Sequence, residues 1–295
     1  MSAHPTSVTA ASASTIAIRD ILCLTDLSPR SDSALDHARG LAERFQAELT
    51  VYHAVEKFEG AYPDLTFGIG QELTQAAEKR AVLSLAAAVE GVGKRSSVKV
   101  EQVASAAEAV VEMVLGRRPD LTVMATHGRR GLRHMLLGSV TEEVIQRAHS
   151  PVLCLREGAP AAYRRILVPT DLSLASRLAF PLAAFLARAF GAEVIGLHAA
   201  PPGTAATLSG IPERQPPMPS EAALWEFYRA DFAGLPVTAQ VYIGPAWDRI
   251  VRTAQVEGAD LIVMATHGHD SLSDRILGSN TERTLRHAPC PVLVA

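Results

Sequence analysis

Two segments of this 295-residue sequence combine glycines and hydroxyl side chains at the same spacing. Each reads Thr-His-Gly, nine further residues, Gly-Ser, and a threonine two residues later, from Thr126 to Thr141 and from Thr266 to Thr281. A glycine that opens a helix lets a ligand approach the free backbone N–H groups, and the positive end of the helix dipole favours an anion. Hydroxyl groups add hydrogen-bond donors. The pattern therefore predicts a phosphate-binding loop, present twice.

A second polar pair precedes each of these loops. Thr25-Asp26 follows the apolar run DILCL, and Thr170-Asp171 follows RILVP. In an open parallel sheet, ligands bind beyond the carboxyl ends of the strands. We therefore expect the aspartate and the glycine loop of each half to meet at one edge of a sheet. Asp26 and Asp171 as plain strand-end caps are the alternative.

The elements around these loops are also repeated, so the chain is an internal duplication. The halves are offset by 145 residues at the early aspartates and by 140 at the late glycines. A period of this size is a whole domain. The second copy is shorter between its second and fourth strands, which we assign to a loop and a shortened helix.

Each copy alternates short apolar runs with longer amphipathic stretches, which is typical of a parallel sheet with helices on both faces. Strands are predicted near 20–25, 48–54, 98–104, 120–126 and 151–155. After the first strand, Ser28 followed by proline predicts a helix start. The residues expected on the buried face of this helix are Ala34, Leu35, Ala38, Leu41, Ala42 and Phe45, and in the second copy Leu178, Ala179, Leu182, Ala183 and Leu186.

The domain boundaries are predicted from composition. Residues 1–15 are small and polar and are expected to be a disordered tail. Residues 16–157 and 164–295 form the two domains, and 158–163 is a short linker rich in small residues. The proline-rich segment 199–220 is expected to cross the open end of the second sheet, or else to be an insertion without consequence.

Charge and hydropathy limit the partners. Lys and Arg total 28 against 31 Asp and Glu, with no long basic run, so nucleic acid is not an expected partner. No signal peptide or long apolar span is recognisable, and we expect a cytoplasmic protein without membrane contact. The cysteines, Cys23, Cys154 and Cys290, are expected to be buried apolar residues.

Catalysis is not the expected activity. Neither copy contains a P-loop or a nucleophile elbow, and the third strand lacks the aspartate of a phosphoacceptor domain. His127 and His267 have no second ligand at a spacing common to both copies, so we expect them to shape the loop or to line the phosphate site rather than to bind metal. His53 and His198, flanked by apolar residues, are expected to be hydrogen-bonded core histidines. A scaffolding protein with empty pockets and a weak ATPase remain as alternatives.

The combined motifs resemble the universal stress proteins, here as a tandem two-domain member. The nucleotide-binding pattern of that family is glycine, two residues, glycine, nine residues, glycine and Ser or Thr. Both copies match it except at the first position, where Ala125 and Ala265 stand. The resemblance also covers the P-T-D-L-S segment and the closing P-V-L strand, and so nearly all of both halves.

This resemblance implies a doubly wound α/β fold for each domain, with five parallel strands in the order 3-2-1-4-5. It also implies that ATP, with or without Mg²⁺, binds at the switch point between strands one and four. The aspartates would face the nucleoside, the backbone of Ala54 and Ala199, after the second strand, would meet adenine, and the glycine loops would hold the phosphates. The candidate site residues are Thr25, Asp26, Ala54, Ala125, His127, Gly128, Gly138, Ser139, Val140 and Thr141 in the first copy, and Thr170, Asp171, Ala199, Ala265, His267, Gly268, Gly278, Ser279, Asn280 and Thr281 in the second.

Two expectations concern the pair of copies. The last strands, SPVLCLR and CPVLVA, are apolar and would leave bare sheet edges, so we expect the halves to form a pseudo-twofold pair. The family resemblance implies that these last strands pair antiparallel. The sequence leaves open whether two chains also form a homodimer. The first loop carries Arg129, Arg130 and Arg133 where the second carries Asp270 and Asp274, so the first site is expected to bind ATP more tightly unless these charges are screened.

Overall fold

The computed structural model of the protein describes residues 16–57, 63–90, 92, 95–126, 137–156, 159, 162–200, 219–266 and 277–295. Its strands are β1 (Asp20–Leu24), β2 (Glu48–Glu56), β3 (Ser96–Val103), β4 (Leu121–Ala125), β5 (Val152–Leu155), β6 (Arg165–Thr170), β7 (Glu193–Ala200), β8 (Val237–Ile243), β9 (Leu261–Met264) and β10 (Val292–Val294). Its helices are α1 (Pro29–Phe45), α2 (Pro63–Val89), α3 (Ala106–Arg117), α4 (Ser139–Arg147), α5 (Leu174–Arg177), α6 (Phe180–Phe190), α7 (Glu221–Arg229), α8 (Ala246–Val256) and α9 (Ser279–His287).

All these strands form one sheet in the order β3-β2-β1-β4-β5-β10-β9-β6-β7-β8. Within each copy the strands are parallel and follow the order 3-2-1-4-5, as predicted. The copies join where β5 pairs antiparallel with β10, with Leu153 opposite Leu293. The prediction that the two apolar last strands cover each other is confirmed.

The two faces of the sheet carry separate apolar cores. One core packs α1, α2, α6 and α7 against the sheet, and it runs through both copies. The other core holds residues of α3, α4, α8 and α9. The three cysteines are buried, and burial raises the pKa of each thiol to about 12, so they behave as apolar residues as predicted.

The helices that follow the first strands differ between the copies. In the first copy α1 is continuous, and Ser28 caps it by accepting a hydrogen bond from the backbone N–H of Ser31. In the second copy the helix is interrupted after Arg177 and restarts at Phe180, followed by Pro181. Proline lacks an N–H group and clashes with the carbonyl four residues before it. Leu178, predicted on the buried face, is therefore 74% exposed at the interruption.

The shortened helix predicted for the second copy is α7, which has 9 residues against 27 in α2. Among the described helices, none combines the length and the apolar character that a membrane crossing requires.

A polar and aromatic cluster joins the copies on one face. His37 on α1 shares a 2.6 Å hydrogen bond with the hydroxyl of Tyr163, which precedes β6. Phe45 lies 5.3 Å from Phe185 on α6, centroid to centroid. Burial lowers the pKa of His37 from 6.5 to about 4, so the imidazole is neutral in the folded protein near neutral pH.

Candidate functional site

The loop after β1 is organised by hydroxyl groups. The hydroxyl of Thr25 donates to the Ser31 hydroxyl at 2.9 Å and accepts the backbone N–H of Leu27 at 3.0 Å. Leu27 has φ of 60°, a left-handed conformation that is costly for a side chain of this size and that these bonds hold in place. The loop turns the chain sharply between the strand end and α1.

The second copy repeats this loop. The hydroxyls of Thr170 and Ser176 lie 2.7 Å apart, the N–H of Leu172 donates to Thr170 at 2.9 Å, and Leu172 has φ of 66°. Ser31 and Ser176 are structural residues of the site that the sequence reasoning missed. The signal was present, because T-D-L-S is followed by a serine at the same spacing in both copies.

The aspartates of these loops accept hydrogen bonds from the residues that cap the following helices. Oδ1 of Asp26 accepts the N–H of Ser28 at 3.1 Å. Oδ1 of Asp171 accepts the N–H of Ser173 at 2.9 Å and its hydroxyl at 2.5 Å. A capping role is therefore part of what the aspartates do, and it fixes their orientation at the strand end.

Two histidines brace the same strand ends. Nδ1 of His53 lies 2.8 Å from the carbonyl oxygen of Thr25, and Nδ1 of His198 lies 3.0 Å from that of Thr170. A carbonyl only accepts, so Nδ1 carries the hydrogen in both rings. Both side chains are buried, and the prediction of hydrogen-bonded core histidines is confirmed.

The backbone of Ala54 faces the gap beyond β1. The N–H of Thr25 donates to the carbonyl of Tyr52, so Tyr52 faces β1, and main-chain direction alternates along a strand. Ala54 comes two residues after Tyr52, so its N–H and C=O also point toward the β1 side of β2. At that height β1 has already ended, at Leu24.

The same alternation applies to Ala199 in the second copy. The N–H of Glu193 donates to Arg164, just before β6, so Ala199 also faces the β6 side, beyond the last residue of that strand. The prediction that Ala54 and Ala199 follow the second strand is wrong, because they lie within β2 and β7. β2 continues past β1 and β7 continues past β6, so within the described residues no strand pairs with that side of the overhang.

The predicted helix starts are present in both copies. The N–H of Gly138 donates to the carbonyl of Thr126 at 3.1 Å, and the first helical bond runs from Glu142 to the Gly138 carbonyl. Gly138 has φ of −63° and ψ of 139° and provides no side-chain cap. The N–H groups of Ser139, Val140 and Thr141 therefore lie in the uncapped first turn.

Gly278 has the corresponding arrangement. Its N–H donates to Thr266 at 3.3 Å, its carbonyl accepts from Glu282, and its φ and ψ are −58° and 136°. Ser279 and Ser139 are exposed at the two helix starts.

The threonines of these helices have a bracing role that was not expected. The hydroxyl of Thr141 donates to the Ala125 carbonyl at 3.3 Å, and that of Thr281 donates to the Ala265 carbonyl at 3.2 Å. Both threonines are buried, where a hydroxyl requires a partner. These hydroxyls tie the helix to the end of the fourth strand, so the donor each residue offers a ligand is its backbone N–H.

Asn280 differs from Val140 at the same helix position. Its Oδ1 accepts the N–H of Trp247 at 3.3 Å, in the first turn of α8. The residue at the cap of α8 is Pro245, which makes no side-chain cap hydrogen bond. Asn280 thus supplies the missing cap from α9, and its side chain is directed to α8.

The remaining candidates, His127, Gly128, His267 and Gly268, lie outside the described residues, as do the arginines and aspartates between the glycines. Within the described ranges, no group of three or more His, Cys, Asp or Glu side chains is placed to hold a metal ion. The described part of each site therefore consists of a strand-end carboxylate, an exposed strand edge and an uncapped helix start.

Comparison with known proteins gives matches over both copies. A sequence model of the universal stress protein family matches residues 17–156 and again 162–295. Universal stress protein Rv2005c of Mycobacterium tuberculosis strain H37Rv is 29% identical over 283 residues, which cover 92% of this chain and 94% of that protein. Universal stress protein MJ0531 of Methanocaldococcus jannaschii is 32% identical over 141 residues, 47% of this chain and 82% of that protein.

Solved structures share the fold over nearly the whole chain. A universal stress protein from Archaeoglobus fulgidus DSM 4304 superposes with a TM-score of 0.70 and 21% identity, covering 93% of this chain and 97% of that one. A putative universal stress protein from Pseudomonas aeruginosa UCBPP-PA14 gives 0.62 and 21%, covering 95% and 94%. Since the family model matches two successive segments that together make up most of the sequence, the chain belongs to the universal stress protein family as a tandem two-domain member.

Proposed function

We propose that each half of the chain binds an adenine nucleotide, ATP with or without Mg²⁺, beyond the carboxyl ends of the neighbouring strands β1 and β4 (β6 and β9 in the second copy). We further propose that nucleotide binding regulates a protective role under stress. The observation that carries this proposal is the uncapped helix start opened by glycine, which occurs in both copies at the same place. Free N–H groups and the positive helix end favour phosphate there.

The choice of glycine at this position supports a ligand rather than a turn. Gly138 has an ordinary negative φ, so its backbone does not require glycine. A Cβ added there would lie 3.4 Å from the Thr126 carbonyl and 3.5 Å from the Thr141 hydroxyl, which are ordinary contacts. The fold therefore accepts a Cβ at Gly138, and in this proposal the close approach of a phosphate accounts for its absence.

The overhanging strand supports the choice of adenine. Ala54 presents a backbone N–H and C=O next to each other, and a purine edge that carries an acceptor beside an amino group is complementary to that pair. Guanine presents a different pattern on its corresponding edge. In this proposal Asp26, whose Oδ1 accepts the N–H of Ser28 at the end of β1, accepts a hydroxyl of the ribose.

The described residues support binding rather than turnover. The buried thiols have raised pKa values, and His53 and His198 use Nδ1 to hold the strand ends. The remaining polar groups of the site orient a ligand. A scaffolding role without nucleotide is the competing proposal.

Isothermal titration calorimetry of the full chain with ATP, ADP and GTP tests the proposal. We expect ATP to bind more tightly than GTP, and the double variant Gly138→Val/Gly278→Val to lose ATP binding. Gly116→Val on α3, where a Cβ meets nothing within 4 Å, is the matched control and should bind as the unaltered chain does. Absence of ATP binding to the unaltered chain would favour the scaffolding role, and unchanged binding by the double variant would place the nucleotide elsewhere.

A further inference from the structure

The two outer strands of the ten-stranded sheet differ in charge. In the first copy the outer strand β3 carries Lys99 and Glu101, which form a 2.7 Å ion pair. Charged side chains are a common protection of sheet edges against pairing with another chain. In the second copy the outer strand β8 reads VTAQVYI and has no charged residue.

The strand registers show that this difference is a replacement at equivalent positions. Lys99 lies opposite Tyr52 on β2, and Gln240 lies opposite Leu197 at the equivalent place on β7. By the same correspondence Glu101 is replaced by Tyr242.

The outward backbone groups of β8 belong to alternate residues. Gly244 donates to the carbonyl of Ala200, and the carbonyl of Pro236 accepts from Val194, so even-numbered residues of β8 face β7. Val237, Ala239, Val241 and Ile243 therefore point their N–H and C=O groups away from the sheet.

Only the end of this edge is capped within the described residues. The guanidinium of Arg249 donates to the carbonyl of Ile243 at 2.8 Å, and no described strand pairs with the outer side of β8. Around the edge, Tyr242 is 40% exposed, Ile243 52% and Val256 on α8 84%.

We propose that β8 pairs antiparallel with β8 of a second copy of this chain, with the twofold axis at Gln240. This register brings outward residues opposite each other, Ala239 against Val241 of the second copy and the reverse, and each such pair exchanges both main-chain hydrogen bonds. It also places Tyr242 opposite Thr238 and Ile243 opposite Val237, so every cross-strand pair is uncharged. Aromatic and β-branched pairs of this kind stabilise antiparallel sheets.

A second copy is the occupant that the fold itself indicates. The chain already joins its halves by antiparallel pairing of two uncharged strands, β5 and β10, so a β8 pair would continue the same sheet across a second twofold axis. The equivalent pairing of β3 would place Lys99 directly against Lys99 of the second copy, which like-charge repulsion disfavours. The structure thus distinguishes one pairing edge from one protected edge.

Cysteine cross-linking provides a direct test. At the twofold axis, Gln240 would face its own copy in a non-hydrogen-bonded pair, where Cα atoms are about 4.5 Å apart, within the range of disulfides. We expect Gln240→Cys to form a disulfide-linked dimer under mild oxidation. The unaltered chain is the control and should not cross-link, because its three cysteines are buried.

Sedimentation equilibrium of the full chain provides the second measurement. We expect a concentration-dependent species of twice 31.4 kDa, and Gln240→Lys should weaken its formation by about fivefold, with less effect at high salt. Gln102→Lys on β3 is the matched control, since Gln102 donates to Glu78 as Gln240 donates to Glu257. This control should leave dimerisation unchanged, and circular dichroism should show that all variants are folded.

Two results would overturn the proposal. If the chain stays monomeric and its Gln240→Cys variant does not cross-link, β8 does not pair with a second copy. It is then either unpaired or available to a different protein. A dimer that neither cross-links through this position nor responds to Gln240→Lys is formed by another surface.

Discussion

Substitution of Gly138 should change nucleotide binding while leaving the stability of the fold almost unchanged. With φ of −63° and ψ of 139°, the residue has a backbone conformation open to any amino acid. The nearest atoms to an added Cβ lie at 3.4 and 3.5 Å, so Gly138→Ala introduces no clash. Alanine is a poorer helix cap than glycine but reduces the entropy of the unfolded chain, and these effects oppose each other. We expect the free energy of unfolding to change by less than about 1 kcal/mol.

The expected effect on nucleotide binding is larger. A phosphate seated on the first turn of α4 accepts charge-assisted hydrogen bonds, each worth about 1.5 to 3 kcal/mol. A methyl group at Gly138 that displaces the phosphate from one N–H group should weaken ATP binding by about tenfold to 150-fold. Gly138→Val adds two further carbons and should remove binding in the first copy.

Calorimetry with ATP in a Gly278→Val background isolates the first site, and unfolding by guanidinium chloride measures stability in the same samples. The reasoning is refuted if Gly138→Ala and Gly138→Val keep the affinity of the Gly278→Val parent while remaining folded. It is also refuted if the loss of binding is matched by a loss of stability of several kcal/mol, because glycine would then serve the fold.

Three further predictions concern packing, pH and charge. Gly196→Ala should destabilise the protein by about 1 to 3 kcal/mol in denaturant unfolding, because its Cβ would lie 2.7 Å from the Tyr228 ring. Stability should fall by about 3 kcal/mol between pH 6.5 and pH 4, since the lowered pKa of His37 leaves it neutral in the fold while the unfolded chain takes up a proton. The first site should bind ATP more tightly than the second at low salt, and the difference should shrink at high salt, as measured by calorimetry on the two single-site variants.

Each of these predictions has a control and a contrary outcome. Gly116→Ala on α3 meets no atom within 4 Å and should be neutral or stabilising, so equal losses at both glycines would exclude the clash. His37→Leu combined with Tyr163→Phe removes the buried bond, and an unchanged pH profile would assign the titration to other groups. Equal affinities at the two sites would show that the loop charges are screened.

The positions of the strands could be predicted from local patterns, whereas their order in the sheet came from the family resemblance. Apolar runs such as DILCL and SPVLCLR identify buried strands, and the repeated motifs fix their order through the family resemblance. That β5 and β10 cover each other followed from their apolar edges, and the antiparallel sense of the pairing came from the family resemblance.

The side-chain roles in the site depend on distant residues and were less predictable. The cap residue of α8, Pro245, makes no side-chain cap hydrogen bond, and Asn280 provides one from α9. These two residues are far apart in sequence. The hydroxyl of Thr141 bonds the Ala125 carbonyl because burial leaves it no water. Ala54 lies within β2 because that strand outruns β1, and relative strand length is not encoded in either strand alone.

Duplication has opposite consequences for the inner and outer edges of the sheet. Once two copies lie in one chain, β5 and β10 cover each other at high effective concentration, so neither edge needs protection by charge. The outer edges gain nothing from this pairing, and no strand of the described residues pairs with the outer side of either. β3 keeps Lys99 and Glu101, whereas β8 has Gln240 and Tyr242 in their places. A symmetric single-domain dimer would carry the same strand at both ends and could not differentiate them. Joining the copies in one chain therefore permits a protein with one protected edge and one edge suited to pairing.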